Sequence, residues 1–339
     1  MVGRRILKKS KWLITGGCGF IGRSLVARLV ASDVPLGNIR VLDNFKTGTQ
    51  SELADIVEGA VVTDKDWSEG GKEICLMRGD SRHRADVVRA VEGSDVIVHL
   101  AACTGVQPSV EDPHTDSETN VLGTLNCLDA ARRAGVSKFI LASSGAPLGE
   151  VEPPIHEAVL PKPISPYGAS KLAAEAYCSV YHACYGLETV ALRFGNVYGP
   201  LSSKKDSVVA RFIKRALAGE NLEIYGDGSA TRDYIFTEDL VEAIIRSVEK
   251  QDIGGEVFQI ATNRETTVKE LAQQLVNVLE QFEVGGVSIV FGAMRVGDMP
   301  RNYSDTSKAL QVLGWKPEIG LKEGLALTVK WFLERKGSI

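Results

Sequence analysis

The stretch Thr15-Gly16-Gly17-Cys18-Gly19-Phe20-Ile21-Gly22 constrains this chain more than any other. It follows a short apolar run, Trp12-Leu13-Ile14, and leads into Ser24 to Val30, whose apolar residues recur at helical spacing. The order is strand, glycine turn, helix. Glycine permits backbone angles that a Cβ forbids and lets the main chain approach a ligand closely. The helix that starts there aims its unpaired N–H groups and positive dipole end at the same point. A pyrophosphate suits that point, although Gly16, Gly19 and Gly22 alone also describe a tight β-to-α connection with no ligand. A second apolar strand, Ile39 to Leu42, favours the first reading because it ends in Asp43. An acid at that tip is placed to accept the ribose hydroxyls of an adenosine. It would repel a 2′-phosphate, which points to NAD rather than NADP.

The 339 residues allow one large domain or two modest ones. With 44% hydrophobic and 24% charged residues the composition is that of an ordinary soluble protein, and a net charge of −4 gives no reason to expect nucleic acid or an anionic membrane. The basic segment Arg4 to Lys11 imitates the start of a signal peptide. The apolar run after it is too short and breaks at Gly16-Gly17, so it reads as the lead-in to the first strand. No segment is long and apolar enough to span a bilayer. The six cysteines have no C-x-x-C pair and no histidine at ligand spacing, so they read as reduced thiols of a cytoplasmic enzyme with no metal.

After Asp43 the chain is polar from Asn44 to Gly71, with a helix around 51–58 and otherwise solvated loop. A third strand, Ile74 to Met77, ends at Arg78-Gly79-Asp80. Asp80 could reach an adenine amino group, or cap the helix 82–91, or both. The fourth strand, 95–102, ends in Ala101 and Ala102, small enough to leave room for a cofactor. His99 within it reads as a core histidine. A helix spans 118–134, and a fifth strand, 138–142, ends at Ser143-Ser144. This alternation is that of a doubly wound parallel sheet, a Rossmann arrangement with its crevice at the carboxyl ends of the strands. Beyond the proline-rich stretch 147–166 come a helix 167–185 and a strand 189–194. A smaller α/β lobe follows, with helices at 207–218, 238–248, 268–279, 307–313 and 321–334 and strands at 222–224, 257–261 and 288–290. The expected division is a dinucleotide-binding domain 1–199 and a lobe 200–339, partly interleaved with the first.

Tyr167 and Lys171 stand four apart on a predicted helix, hence on one face. A phenol with an ordinary pKa near ~10 is a poor base at neutral pH. A neighbouring ammonium and a positive nicotinamide would lower that pKa. The phenolate could then take a proton from a substrate hydroxyl while hydride leaves the same carbon. Ser144 could donate to that oxygen. Taken alone, the pair also fits a solvated helix surface; the glycine turn upstream and Ser144 at a strand tip favour the site.

With these residues in view the chain resembles the extended short-chain dehydrogenase/reductase family, in its branch of nucleotide-sugar epimerases and dehydratases. The resemblance covers nearly the whole chain. It rests on the Thr15–Gly22 turn, Asp43-Asn44, Gly79-Asp80, His99 to Ala102, Asn120-Val121-x-Gly123-Thr124, Ser143-Ser144, Tyr167-Gly168-x-Ser170-Lys171 and Arg193-x-x-Asn196-Val197-Tyr198-Gly199-Pro200. It continues in Gly226-Asp227-Gly228-x-x-x-Arg232-Asp233-Tyr234 and Arg295-x-Gly297-Asp298. The resemblance implies Ser144, Tyr167 and Lys171 as the catalytic set. It implies an NAD site lined by Phe20, Ile21, Asp43, Asn44, Asp80, Ser81, Leu100, Ala101, Ala102 and Asn120, together with the glycines, Tyr167 and Lys171. Asn196, Arg232, Arg295 and Asp298, with Ser144, would meet a nucleotide-diphosphate sugar, and guanidinium forks suit a diphosphate. A homodimer built on helices 118–134 and 171–185 is implied by the family alone.

Two departures bear on the reaction. Dehydratases of this kind carry an acid pair directly after the catalytic hydroxyl residue, and the decarboxylases have a glutamate nearby. Gly145 and Ala146 stand there in this chain, and neither transfers a proton. The expected reaction is therefore NAD-dependent epimerisation at C4 of a nucleotide sugar, such as a UDP-sugar, through a transient 4-ketone. The alternatives are net oxidation, 4-keto reduction or dehydration. The second departure is Pro147-Leu148-Gly149 where the family has Val-Tyr-Gly, in a loop of its sugar pocket.

Overall fold

The computed structural model describes residues 7–63, 71–293 and 300–335. The chain forms two compact units. The first comprises Met1–Glu150, Ala158–Arg193 and Ala243–Phe258, and the second Val151–Glu157, Phe194–Glu242 and Gln259–Ile339. Segments on both sides of residue 199 thus cross over.

The first unit is built on β1 (Trp12–Thr15), β2 (Ile39–Asp43), β3 (Val61–Thr63), β4 (Ile74–Arg78), β5 (Val96–His99), β6 (Lys138–Ser144) and β7 (Thr189–Phe194). With β12 (Glu256–Ile260) they form an eight-stranded sheet in the order β12-β7-β6-β5-β1-β2-β4-β3. The strands β1 to β6 pair in parallel. The order reverses at β1, which lies between β2 and β5; in an open parallel sheet that is where a ligand crevice forms. The register sets what meets there. Thr15 pairs with Leu42 on one side and with His99 on the other. Gly16, Asp43 and Leu100 are therefore level at the carboxyl edge. Asp43 pairs with Arg78, which brings Gly79-Asp80 to the same edge. His99 pairs with Leu141, which brings Ala142 to Ser144 there too.

The sheet is covered by α1 (Phe20–Ala31), α3 (Arg84–Val91), α6 (Gly123–Ala134) and α7 (Pro166–Tyr185), while α2 (Gln50–Ala54) is a single short turn. Central strands are buried throughout, as helices on both faces require. Their core includes Leu13, Leu42, Ile97, Leu128, Phe139 and Ala174.

The strands 39–43, 74–78 and 189–194 and the helix 166–185 stand where the sequence places them. Three expectations need correction. The stretch 44–71 is not all loop, because β3 adds an edge strand beside β4; three residues carry too little alternation to announce it. The fourth strand stops at His99 rather than continuing through Ala102, since Leu100 N and Ala101 N turn back to Thr15. Two short helices, α4 (Val106–Glu111) and α5 (Pro113–Ser117), precede the helix at 118–134, whose first five residues Glu118–Leu122 form a π turn.

The second unit has α8 (Val208–Leu217), α10 (Val268–Gln281) and α11 (Leu321–Glu334), and α9 (Thr237–Glu249) begins in it. Its strands pair two by two: β8 (Asn196–Tyr198) with β11 (Tyr234–Phe236), β9 (Leu222–Tyr225) with β14 (Ile289–Gly292), and β10 (Thr231–Arg232) with β13 (Thr266–Thr267). The strands β8, β10, β11 and β13 have two or three residues each and leave no periodic signal. Tyr198, Phe212, Phe236, Leu271, Leu325 and Phe332 fill the core. A capping box starts α10: Glu270 N donates to Thr267 Oγ1 (3.0 Å) and Thr267 N to Glu270 Oε2 (2.8 Å).

Candidate active site

The glycine turn is tightly closed on the strand beside it. Gly16 has φ +69°, and a Cβ there would stand 2.8 Å from Ala101 N. A Cβ on Gly22 would stand 2.5 Å from Gly16 O, so the first turn of α1 lies directly on the loop. The N-cap of α1, Gly19, makes no side-chain cap and the first turn holds no acid. Phe20 and Ile21 open that turn, half-buried. A helix start with no capping side chain and no acid, level with the strand tips, fits a pyrophosphate.

Asp43 is buried at the next tip. Its Oδ2 accepts from Cys18 N (2.9 Å) and its Oδ1 from Phe45 N (2.8 Å). Burial raises its pKa, opposed by these backbone donors. Asp80 sits at the third tip, where Arg82 grips it with Nε on Oδ1 (3.0 Å) and Nη2 on Oδ2 (2.9 Å). Asn44 Nδ2 donates to the same Oδ2 (3.0 Å). The Arg82 hydrogen bonds hold the Asp80 carboxyl well below the usual range. Asp80 Oδ1 also accepts Arg82 N (2.9 Å) just ahead of α3, whose N-cap His83 makes no side-chain cap, and Asp86 Oδ2 accepts Asp80 N (3.0 Å). Ser81 is buried, and Leu100, Ala101 and Ala102 are half-buried. His99 bridges Thr15 Oγ1 (2.8 Å) and Thr124 Oγ1 (3.1 Å), the core histidine expected. Burial pushes its pKa down to about 3.

Asn120 lies in the π turn, a backbone irregularity that often marks functional positions. Its Nδ2 donates to Cys103 O (3.0 Å), Asp116 Oδ1 (2.9 Å) and Ser170 Oγ (3.1 Å), and its Oδ1 accepts from Cys103 N (2.9 Å). One buried amide thereby ties the segment after β5 to α5 and α7.

Pro166 and Ser165 start α7, with Ser165 Oγ accepting Gly168 N (3.1 Å). Tyr167 N donates to Ser109 Oγ of α4 (3.1 Å). The Ser144 hydroxyl acts on the Tyr167 phenol and favours its ionised form. Lys171 Nζ donates to Ala142 O (3.0 Å) and stands 6.0 Å from the Tyr167 ring centre. The structure therefore brings the three predicted catalytic side chains together at the tip of β6. It corrects one expectation. The Tyr167 phenol is pushed up, to about 12, because burial outweighs the effect of the Ser144 hydroxyl. Lys171 is pushed down to about 8, again by burial. The ammonium spends its hydrogen bond on a carbonyl rather than on the phenol.

Gly145 has an ordinary φ of −70° and a Cβ there would meet nothing within 4 Å. Ala146 N donates to Ser144 Oγ (3.2 Å). The residues after Ser144 thus contribute a backbone donor and open space, and no acid.

In the second unit Asn196 is exposed on β8, and its N–H donates to Asp233 O (2.8 Å). Arg232 precedes Asp233 on β10, with Nη1 on Thr231 O (2.6 Å). These two predicted substrate contacts are neighbours. Arg295 and Asp298 lie outside the described residues. The sequence reading leaves Ser109, Asp116 and Glu175 unmarked, and it includes Arg193 in a motif without giving it a role. A charged residue inside an apolar strand, Ala191-Leu192-Arg193, was the available signal. Among the described residues no group of three or more His, Cys, Asp or Glu side chains could hold a metal ion, and no helix is long and apolar enough to cross a membrane.

A doubly wound sheet with a glycine turn, carboxylates at the strand tips and a Ser–Tyr–Lys set is the frame of an NAD-dependent enzyme. The chain belongs to the NAD dependent epimerase/dehydratase family, whose profile matches residues 12–261. It is 35% identical over 326 residues to UDP-glucose 4-epimerase of Mycolicibacterium smegmatis, covering 94% of this chain and 97% of that one. It is 32% identical over 342 residues to dTDP-glucose 4,6-dehydratase of Xanthomonas campestris pv. campestris, covering 95% and 93%. The structure of UDP-glucose 4-epimerase with UDP-glucose from Thermotoga maritima superposes with a TM-score of 0.84 at 33% identity, covering 96% and 99%.

Proposed function

We propose that this protein epimerises a UDP-sugar at C4 through a 4-ketone. The observation that carries the choice among the family's reactions is the pair Gly145-Ala146 behind Ser144. Loss of a C6 hydroxyl from a bound ketone needs a general acid, and these residues supply none. Asp116, the carboxylate whose charge bears on Tyr167, accepts from Asn120 Nδ2 at Oδ1 (2.9 Å), and its buried Oδ2 has no partner among the described residues. Proton removal at the 4-hydroxyl and its return remain available.

In this reading Tyr167 takes the proton of the 4-hydroxyl, and Ser144 donates to the same substrate oxygen and orients it. Lys171, anchored on Ala142 O, keeps a positive charge near the phenol. Bound NAD would supply the acceptor and donor of the hydride from the sugar's C4, and its positive ring would favour the phenolate. The backbone turn Gly16–Gly22 would hold the pyrophosphate, Asp43 the adenosine ribose and Asp80 with Asn44 the adenine. Phe20, Ile21, Ser81, Leu100, Ala101, Ala102 and Asn120 would complete the cofactor's surroundings. From the second unit Asn196 and Arg232, and with them Arg295 and Asp298, would contact the nucleotide diphosphate. The protein would act as a cytoplasmic homodimer.

The test is incubation with UDP- and dTDP-sugars, with products resolved by NMR while the reduced-nicotinamide absorbance is followed. A 4-epimer formed without net change in that absorbance is the expected result. A 4-keto-6-deoxy product, or stoichiometric NADH, would replace this reading by dehydration or net oxidation.

A further inference from the structure

We propose that Glu175 is a positioning residue for the reaction: it ties the strand tip bearing Ser144 to the helix bearing Tyr167 and Lys171, and it supplies a counter-charge to the Lys171 ammonium. The proposal rests on the proton-transfer roles given above to those three residues. Glu175 lies one turn beyond Lys171 on α7, on the same face. Its Oε1 accepts from Ser143 Oγ (2.5 Å) and from Arg193 Nε (2.9 Å), and its Oε2 from Arg193 Nη2 (2.7 Å). All three residues are 4–5% exposed. Ser143 immediately precedes Ser144 on β6, and Arg193 lies near the end of β7. One carboxylate therefore joins two adjacent strands to the helix that carries the base.

Two physical consequences follow. Rotation of α7 about its axis would carry Tyr167 and Lys171 away from Ser144 together, and the bond to Ser143 opposes that rotation at the strand tip itself. Misplacement of a reacting group by about 1 Å costs about a hundredfold in rate. The second consequence is electrostatic. Lys171 is 3% exposed. It is faced by His99 from β5, Cys103 from the segment after β5, Asp116 from α5, Tyr167 one turn back, and Glu175 and Cys178 further along its own helix. Asp116 and Glu175 are the carboxylates among these groups, so both favour the ammonium. Glu175 is itself held by Arg193, whose Nη1 is buried with no partner among the described residues. A neutral residue at 175 would leave that guanidinium without its counter-ion.

Glu175→Gln keeps the volume and an acceptor for Ser143 while removing the charge. Two measurements read it. NMR titration of 13Cε-labelled lysine, with Lys171 assigned through Lys171→Arg, gives the Lys171 midpoint with no substrate present. Steady-state kinetics give kcat and KM separately. In Glu175→Gln the Lys171 midpoint is expected to fall by about one unit. We expect kcat to fall about tenfold with KM for the nucleotide sugar unchanged. Glu175→Asp, which keeps the charge, is expected to bring the midpoint back towards native. An unchanged midpoint and kcat in Glu175→Gln would overturn the proposal. So would a loss of kcat matched by an equal loss of cofactor binding with the Lys171 midpoint unchanged, the signature of a merely structural role; lower thermal stability alone is expected from the unpaired Arg193. If Glu175→Gln does not fold, Ser143→Ala decides: it removes only the bond at the strand tip, and a native kcat there overturns the positioning role. The midpoint is read without turnover, so failure of the proton-transfer reading is seen separately, as retained activity in Tyr167→Phe.

Discussion

Tyr167 is a phenol held protonated by its surroundings. With its pKa pushed up to about 12, almost none is ionised at pH 7, so removing its hydroxyl removes a group whose usefulness depends on added positive charge. Tyr167→Phe is expected to lower kcat by about a thousandfold, within the range of a lost general base. Equilibrium binding of NAD, followed by calorimetry, should change less than about threefold, because the pyrophosphate and ribose contacts lie elsewhere. Turnover within about tenfold of native would remove Tyr167 as the base. At this scale the sequence displays the pairing of Tyr167 with Lys171, since helical spacing alone brings them to one face. It does not display the direction of the pKa shift. That direction follows from the depth of the pocket, which belongs to tertiary packing. Nor does it display the Ser143–Glu175–Arg193 cluster, whose members are distant in the chain and meet only when β6, β7 and α7 assemble.

Elements show the same division. Each long element carries its period, so β2, β4, β7 and α7 are readable from local pattern. The edge strand β3 and the two-residue strands β10 and β13 are defined by their neighbours, and no local pattern announces them. The tips of β1, β2, β4 and β6 are legible because each apolar run stops at a polar or small residue; the tip of β5 is not, because the apolar run continues past His99 into Leu100-Ala101-Ala102. His99, near the tip of β5, gives this arrangement a pH dependence. Its neutral ring is locked between Thr15 of β1 and Thr124 of α6. Burial lowers its pKa from 6.5 to about 3. Above pH 6.5 neither the folded nor the unfolded state protonates it, so it adds no pH dependence. As the pH falls from 6.5 towards 3, the unfolded chain takes up a proton that the folded protein refuses, and stability is lost. Urea unfolding at pH 7 and pH 5 should show this as a fall in midpoint. His99→Gln, which cannot protonate, should show a smaller fall between the same two pH values. Equal falls would mean that His99 is not held neutral in the fold.

At the scale of the whole molecule, the exchange of segments between the two units makes a cut at residue 199 incomplete. Residues 243–258 return to the first unit, where Gly255 N donates to Thr189 O (2.7 Å) at the start of β7. The sequence reading places the strand 257–261 in the smaller lobe; the return of residues 243–258 to the first unit is set by tertiary contacts that leave no mark on composition. Assembly can be argued from the surface of the first unit. Tyr177 and Val180 stand three apart on α7 and are 36% and 46% exposed, while Tyr185, at the end of that helix, is 54% exposed. Leu122 is 46% exposed in the π turn that packs on α7. Single exposed apolar residues are ordinary, but a run of them on one helix and its neighbour is what an interface between copies requires. A second copy in two-fold symmetry would bury the same residues on both chains. Val180→Arg would then place two like charges in the apolar centre of that contact. Sedimentation velocity should give twice the chain mass for the native protein and a single chain for Val180→Arg, with far-ultraviolet circular dichroism unchanged. A native protein that sediments as one chain at about ten micromolar, where a dimer with a Kd below about 1 μM is mostly formed, would end the case for a dimer through this face.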